Sequence, residues 1–265
     1  MRLGAMIGAL ILLAIGGGSL AHASRGSQSS TARTSAAAGP FASLRVCGTN
    51  KIPFKGHQCK RDQRSSGLNF REIDCSISVS VKTQSNFTAS ILYNGQLQYI
   101  AHSRLRAGKH NELVGVRVSP SRMPGGHYTC AFRLGNKRTE TRFQTKGPSG
   151  RFLGASICVT PTKKKGICTS DAAAKPLASP PSVMCGGVFV GFAGKSWGVK
   201  LVRLTPTTPA LVGQYGARRL AGPISEQWVG FKSRTKIHVY RPAKYSCLFF
   251  AAGNKIASHD FTVVK

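Results

Sequence analysis

The sequence predicts an all-β protein made of two related halves, each with its own disulfides. Three observations lead to that fold class. Its eight cysteines fall into two copies of one four-cysteine pattern. The apolar residues of both copies alternate with polar ones, as in antiparallel strands, and no stretch after residue 40 shows a helical period. Equivalent cysteines lie 111, 109, 110 and 117 residues apart, which indicates a tandem duplication. The two sets are Cys47, Cys59, Cys75 and Cys130, followed by Cys158, Cys168, Cys185 and Cys247.

The N-terminus predicts export. An apolar run at 3–15 follows Arg2, and Ala21 and Ala23 supply the small residues that a signal peptidase reads, so 1–23 is predicted to be a cleaved signal peptide. The alternative is an uncleaved anchor, because the apolar stretch nearly reaches the length that spans a bilayer. An even number of cysteines in an exported chain indicates paired thiols and an oxidising compartment. We expect a secreted protein, extracellular or associated with the cell wall.

Composition divides the rest of the chain into two domains. Residues 24–40 are rich in Ser, Ala, Thr and Gly and predict a flexible tether. The remainder is long enough for two separate cores, which we place at 41–146 and 151–265. A short Gly/Pro/Ser linker, 147–150, joins them.

The chain is strongly basic. Its formal net charge is +30, from 38 basic and 8 acidic residues. Residues 41–150 hold 18 basic and 5 acidic residues (+13), and residues 151–265 hold 17 and 3 (+14), so both halves carry the charge. Such a field attracts polyanions and repels copies of itself. The alternative is a compositional bias without a particular ligand.

The spacing of the later cysteines indicates the type of sandwich. In each half the last two cysteines are 55 or 62 residues apart, which suits the bridge between strands B and F of an immunoglobulin-type sandwich. Tyr128 and Tyr245 stand two residues before the second bridge cysteine, the position of the tyrosine corner. Phe87 and Trp197 follow the first bridge cysteine by twelve residues and are expected to pack on the bridge from strand C.

A longer motif recurs around these positions. Gly/Ala-x-Tyr-Thr/Ser-Cys is followed by Gly-Asn-Lys and by a final strand with an apolar Phe143 or Phe261, and the repeats cover essentially all of 41–265. With this motif the chain resembles the tandem immunoglobulin-like domains of secreted bacterial, particularly actinobacterial, proteins. The resemblance implies two immunoglobulin-like β-sandwiches. It leaves function open, since this fold serves adhesion, ligand capture and spacing.

The remaining cysteines predict a second, short bridge in each domain. With the long pairs 75–130 and 185–247 assigned, the short pairs are Cys47–Cys59 and Cys158–Cys168. Each would close a small loop at the start of its domain. Four cysteines allow three pairings, and the sequence leaves the other two open.

No catalytic or metal-binding constellation is evident. The cysteine spacings C-x11-C and C-x15-C lack the zinc knuckle, no cysteine remains as a nucleophile, and no G-x-S-x-G elbow occurs. We expect candidate triad residues such as His102, His110, Asp62 and Asp74 to occur in only one of the two repeats. We therefore expect a non-enzymatic protein without metal or cofactor.

Basic clusters supply the candidate ligand-binding residues. Lys163, Lys164 and Lys165 lie at the tip of the predicted 158–168 loop, and Arg218 and Arg219 lie in the middle connection of the second domain. A disulfide-closed loop tipped with lysines is pre-organised to meet phosphate or carboxylate groups. The alternative is that these side chains are simply solvated.

These expectations combine into one function. The sequence predicts a secreted binding protein that associates with an anionic cell-envelope polymer or an extracellular polyanion, with no specific small-molecule ligand. The alternative is an adhesion module that binds a protein partner through loops or a strand edge. Salt separates the two, because polyanion binding weakens steeply as ionic strength rises.

Overall fold

A computed structural model describes residues 39–51, 58–118, 121–159, 170–235 and 239–265. Within these ranges the chain forms fifteen β-strands and two short 3₁₀ turns, which confirms the all-β fold class. The described part contains no helix long and apolar enough to cross a membrane. The predicted signal peptide 1–23 and the lysines 163–165 lie outside the described residues.

The first seven strands form two antiparallel sheets. A three-stranded sheet has the order β1-β2-β5, and a four-stranded sheet has the order β4-β3-β6-β7. We call them the first sheet pair. The strands are β1 (Phe41–Thr49), β2 (Glu72–Val81), β3 (Ser85–Tyr93), β4 (Gln96–Leu105), β5 (Gly108–Arg117), β6 (Gly126–Leu134) and β7 (Lys137–Thr145).

The later strands repeat this arrangement. A three-stranded sheet has the order β13-β10-β8, and a five-stranded sheet has the order β12-β11-β14-β15-β9, with β9 parallel to β15. We call them the second sheet pair. The strands are β8 (Phe152–Val159), β9 (Leu177–Ala178), β10 (Ser182–Val190), β11 (Ser196–Arg203), β12 (Ala210–Arg219), β13 (Ile224–Lys232), β14 (Ala243–Ala251) and β15 (Asn254–Val264).

Period-two alternation explains how each pair closes on its core. On β2 the inward side chains Cys75, Ile77 and Val79 are buried, and the bridge Cys75–Cys130 joins β2 to β6 of the opposite sheet. Burial of these alternating apolar side chains is the main favourable term in sheet packing. The result is a sandwich-like core between the two sheets.

Three of the predicted disulfides are confirmed: Cys47–Cys59, Cys75–Cys130 and Cys185–Cys247. They indicate that the chain folds in an oxidising environment. Cys158 is also disulfide-bonded, and its predicted partner Cys168 lies outside the described residues.

The predicted tyrosine hydrogen bonds are present in both halves. Tyr128 Oη donates to the carbonyl oxygen of Pro124 at 3.0 Å. Tyr245 Oη donates to the carbonyl oxygen of Arg241, also at 3.0 Å. Each hydroxyl therefore bonds to the backbone four residues upstream, as a tyrosine corner requires.

The position of the strand-C aromatic differs from the prediction. Ile91 pairs with the second bridge cysteine in the first sheet pair, and Leu201 does so in the second. Phe87 and Trp197 lie four positions earlier on the same strands. The first bridge cysteine lies eight residues before the middle of the turn that leads to the next strand. The chain therefore needs eight more residues after the middle of that turn to return to the level of the bridge. A residue twelve positions after the cysteine has not yet reached that level.

The two sheet pairs contact each other through the outer face of the sheet β13-β10-β8. Val188, Val190 and Ile224 on that face are buried in the same apolar cluster as the core of the first pair. Gln98 on β4 adds a polar contact, since its side chain forms two hydrogen bonds with the backbone of Ile224. The predicted linker 147–150 also contacts the first half of the chain, because the carbonyl oxygen of Pro148 accepts a hydrogen bond from the backbone N–H of Gly125.

Candidate functional site

Of the predicted polyanion-binding residues, the structure describes Arg218 and Arg219. They are the last two residues of β12, an edge strand of the five-stranded sheet, instead of lying on a connecting loop. Both side chains are exposed. The expected position in a connection was wrong because β12 continues to residue 219.

Arg218 lies over the ring of Tyr215. Its guanidinium carbon lies 5.8 Å from the centre of the Tyr215 ring, and that ring lies 5.3 Å from the buried indole of Trp197. The register pairs Trp197 with Arg218 across β11 and β12. A guanidinium over an aromatic face gains a cation–π attraction and keeps its in-plane N–H groups available to an anion.

Further basic side chains surround the turn between β10 and β11. The backbone of Leu220 bonds to Lys195 and Gly194 of this turn, which places Arg219 beside it. From the other side the guanidinium of Arg151 lies 4.1 Å from the centre of the Phe192 ring. Four exposed cations therefore gather at one end of the second sheet pair: Arg151, Lys195, Arg218 and Arg219. We call them the basic end cluster.

Acidic residues of this half have partners elsewhere. Asp171 Oδ2 lies 2.7 Å from Nε2 of His259, and Asp260 accepts a hydrogen bond from Ser246 at 2.5 Å. Two of the three carboxylates in 151–265 are thus engaged away from the basic end cluster. The cluster is suited to phosphate or carboxylate groups, which guanidinium can bind with two parallel hydrogen bonds.

An aspartate with the same hydrogen bonds occurs in both halves, so the prediction that Asp62 belongs to one repeat alone was wrong. Asp62 Oδ1 accepts hydrogen bonds from the backbone N–H of Val46 (3.3 Å) and of the residue two positions beyond itself (3.2 Å). Asp171 Oδ1 accepts from Ile157 (2.9 Å) and again from the residue two positions beyond itself (3.1 Å). Each aspartate follows a cysteine by three residues, a Cys-x-x-Asp signal that the sequence contained.

These hydrogen bonds change the acidity of Asp62. Burial would raise the pKa of its carboxyl, but hydrogen bonds from the Arg64 side chain and from the backbone of Val46 and Arg64 outweigh burial. The pKa of Asp62 therefore lies below its usual value. The role of this carboxylate is structural: it fixes the segment after Cys59 against β1.

A second surface was not anticipated from the sequence. On the outer face of the four-stranded sheet a groove of about 330 Å³ runs over Ser90 and Ala131, with Leu92 and Leu97 on one side and arginines on the other. Its signal is visible only when the strand register is known, because its residues come from four strands. Among the described residues no group of three metal-ligating side chains is assembled.

Comparisons with known proteins give no family. No protein-family model matches, and no curated protein matches. A solved structure of red sea bream transglutaminase shares 12% identity at a TM-score of 0.23, covering 84% of this chain and 31% of that one. Bifidobacterium dentium β-glucuronidase, complexed with coumarin-3-O-glucuronide, shares 10% identity at a TM-score of 0.25, covering 84% and 47%. The chain spans a third to a half of these enzymes, and such scores carry no inference about activity.

Proposed function

We propose that this chain is a secreted, non-enzymatic protein that associates with an anionic polymer of the cell envelope, and that the basic end cluster is its principal contact. The observation that carries the proposal is the gathering of Arg151, Lys195, Arg218 and Arg219 around one turn. The surrounding half has a net charge of +14. A polymer of repeated phosphates or carboxylates matches a surface with several exposed cations.

The proposal includes two tandem immunoglobulin-like sandwiches at 41–146 and 151–265. Its support is the pair of tyrosine hydrogen bonds, from Tyr128 and Tyr245, together with the repeated strand order. The fourth disulfide, Cys158–Cys168, belongs to the same proposal. It is supported by Asp171, which bonds to the backbone before Cys158 as Asp62 bonds to the backbone before Cys47.

Binding would proceed mainly by release of counterions. Each polymer phosphate that meets an arginine or lysine frees a condensed cation, so affinity falls as salt rises. The stacking of Arg218 on Tyr215 reduces the freedom that the arginine loses on binding. At physiological ionic strength, screening limits the attraction to roughly 8 Å, so the cluster contributes more than distant charge.

The test is a set of four substitutions in the basic end cluster, R151Q, K195Q, R218Q and R219Q, assayed against a purified polyphosphate chain at several salt concentrations. We expect weaker binding and a salt slope lower by about one unit for each lost phosphate contact. The matched control neutralises four exposed lysines spread over the same half: Lys175, Lys232, Lys244 and Lys265. Equal loss in both variants would show that net charge binds and that the cluster is not a site.

The second candidate is a protein partner bound at a strand edge. Leu97 on β4 and Leu211 on β12 are 50% and 57% exposed, and both occupy the same register position of an edge strand. Unpaired strand edges with apolar side chains are sites of strand addition. Binding that is indifferent to salt would favour this candidate over the polymer.

A further inference from the structure

Three successive rows of side chains cross the outer face of the four-stranded sheet. Among the residues that line the groove, those of the first row are apolar, those of the middle row are small, and the third row carries two arginines. Beyond the groove, the first row continues to Arg142, and the middle row contains Ile100 and Glu140. The residues that matter are Leu97 and Leu92, then Ser90 and Ala131, then Arg133 and Arg138.

The small middle row forms the floor of the groove. Ser90 Oγ donates to the carbonyl oxygen of Ala131 at 3.4 Å, so the floor presents mainly carbon atoms. The other half of the chain differs at this position: Leu248 follows Cys247 as Ala131 follows Cys130. A leucine at residue 131 would fill the space above the floor. The groove thus depends on one small side chain.

The floor favours a hydrocarbon chain over a peptide. Strands β3 and β6 are interior strands whose backbone groups are paired on both sides. An extended peptide laid in the groove would lose water from its own amides and find no backbone partner on the floor, which is costly. A polymethylene chain has no such groups, and each buried CH₂ contributes about 0.8 kcal/mol.

The third row gives the groove a charged end. Arg133 and Arg138 are direct cross-strand partners, and Nε of Arg133 donates to the carbonyl oxygen of Gly135 at 2.7 Å, which fixes that side chain. Glu140 of the middle row bonds both Arg138 and Arg142, so one carboxylate is shared by two arginines. Leu92 and Thr88 are four residues apart on β3, which separates the apolar row from the arginine row by roughly 13 Å.

We propose that this groove binds a single-chain anionic lipid, with the acyl chain between the leucines and over Ala131 and the anionic head group at Arg133 and Arg138. Guanidinium groups at the head-group end match phosphate or carboxylate in charge and in hydrogen-bond geometry. The site is separate from the basic end cluster, which lies in the other half, so each can be tested without the other.

The test measures binding of monomeric dodecyl phosphate to the full chain by calorimetry, with butyl phosphate and dodecanol as comparison ligands. We expect saturable one-to-one binding of dodecyl phosphate and at least ten-fold weaker binding of each comparison ligand, since each lacks one half of the interaction. The Ala131→Leu variant should weaken binding at least ten-fold. It should fold, because the other half carries leucine at the equivalent position.

Two further variants keep the result interpretable. Leu97→Gln alters a side chain that is 50% exposed, so it should leave the fold intact and still reduce affinity several-fold. Combined Arg133→Gln and Arg138→Gln should reduce affinity for dodecyl phosphate but not for dodecanol. Arg61→Gln with Lys82→Gln removes the same charge from other exposed positions and should have little effect.

Wild-type affinity in the Ala131→Leu variant would overturn the proposal, as would equal binding of butyl and dodecyl phosphate. Binding of an acidic peptide at the groove without binding of dodecyl phosphate would show a protein-docking surface instead, and the proposal would be wrong. Ala131→Leu leaves all charges in place and should bind polyphosphate like the wild type, so failure here leaves the polymer proposal standing.

Discussion

The side-chain amide of Gln98 on β4 forms hydrogen bonds with both backbone groups of Ile224 at the start of β13, as a neighbouring strand would. It donates to the carbonyl oxygen of Ile224 at 2.5 Å and accepts from the N–H of the same residue at 2.9 Å. One side chain therefore satisfies both backbone groups of a residue that is almost fully buried. This pairing links the two sheet pairs by specific hydrogen bonds in addition to apolar contact.

Replacing Gln98 with alanine should leave both backbone groups of Ile224 without this partner and lower the free energy of unfolding by about 1–3 kcal/mol. Gln98→Glu should keep the accepted bond but place a second acceptor oxygen against the carbonyl oxygen of Ile224, so it should destabilise at least as much as alanine. Denaturant unfolding measures the change, and hydrogen exchange at the Ile224 amide reports it locally. Gln96→Ala, an exposed position on the same strand, is the control and should stay within about 0.5 kcal/mol. An unchanged exchange rate at Ile224 would contradict this role.

The long disulfides should matter more than the short ones. Replacing both cysteines of 75–130 or 185–247 with alanine should lower the free energy of unfolding more than removing 47–59, because 47–59 closes a much shorter loop. Loss of a long bridge also leaves a packing defect in the core. Typical losses are about 2–4 kcal/mol per bridge. Peptide mapping without reduction should also recover 158–168. A bridge between Cys168 and any cysteine other than Cys158 would refute the tandem arrangement.

Asp62→Asn should reduce the sensitivity of the protein to acid. The pKa of Asp62 is lowered in the folded state, so the carboxylate stabilises the fold above the unfolded pKa of about 3.9. That stabilisation is lost as pH falls through the lower, folded pKa. Unfolding free energies measured from pH 7 to 2 should therefore fall less steeply below about pH 4 in the variant. Glu112→Gln removes a carboxylate outside this hydrogen-bond set and is the control for the lost charge.

Tyr128→Phe should lower stability by about 1 kcal/mol through the lost hydrogen bond to Pro124. The loss of stability is limited because the Pro124 carbonyl oxygen still accepts a hydrogen bond from Thr145 when the tyrosine hydroxyl is removed. Burial raises the pKa of Tyr128 well above that of a free phenol. The wild type should therefore lose stability as pH rises above about 10, where the unfolded chain ionises first, and the phenylalanine variant should lose less. Parallel alkaline curves for the two proteins would contradict the burial of this hydroxyl.

Neutralising Lys163, Lys164 and Lys165 tests the loop predicted from the sequence. Glutamine at all three positions should leave the described strands folded and lower the salt slope of polyphosphate binding by about one unit per lost contact. The matched control neutralises Lys82, Lys137 and Lys146, three exposed lysines in the other half that do not belong to the basic end cluster. Equal slopes for both triple variants would mean that the loop is not a site.

Sequence reasoning succeeded where a short local pattern determines the contact. The tyrosine two residues before the second bridge cysteine bonds to the backbone four residues upstream in both halves, so Tyr128 and Tyr245 could be assigned from spacing. It failed for Phe87 and Trp197, because their level along the strand depends on where the turn falls and not on a count from the cysteine. Asp62 and Asp171 each stand three residues after a cysteine, so their equivalence is visible in the sequence.

The candidate sites were harder to predict for a different reason. Arg151 and Arg218 are 67 positions apart in the sequence, and the strand arrangement places both at the same end of the second sheet pair. The groove likewise requires the pairing of β3 with β6, which sets Ser90 beside Ala131. Neither arrangement has a local sequence signature, because side chains of these types are common on exposed strands and turns.

The contrast between Ala131 and Leu248 bears on how the two halves differ. Both residues follow a bridge cysteine, and both stand on the outer face of a sheet, where the framework makes few demands on size. The two halves therefore present different outer faces on a similar strand order, with a groove over Ala131 in one and a leucine at the equivalent position in the other. The exposed face of either half can change without disturbing the strand framework beneath it.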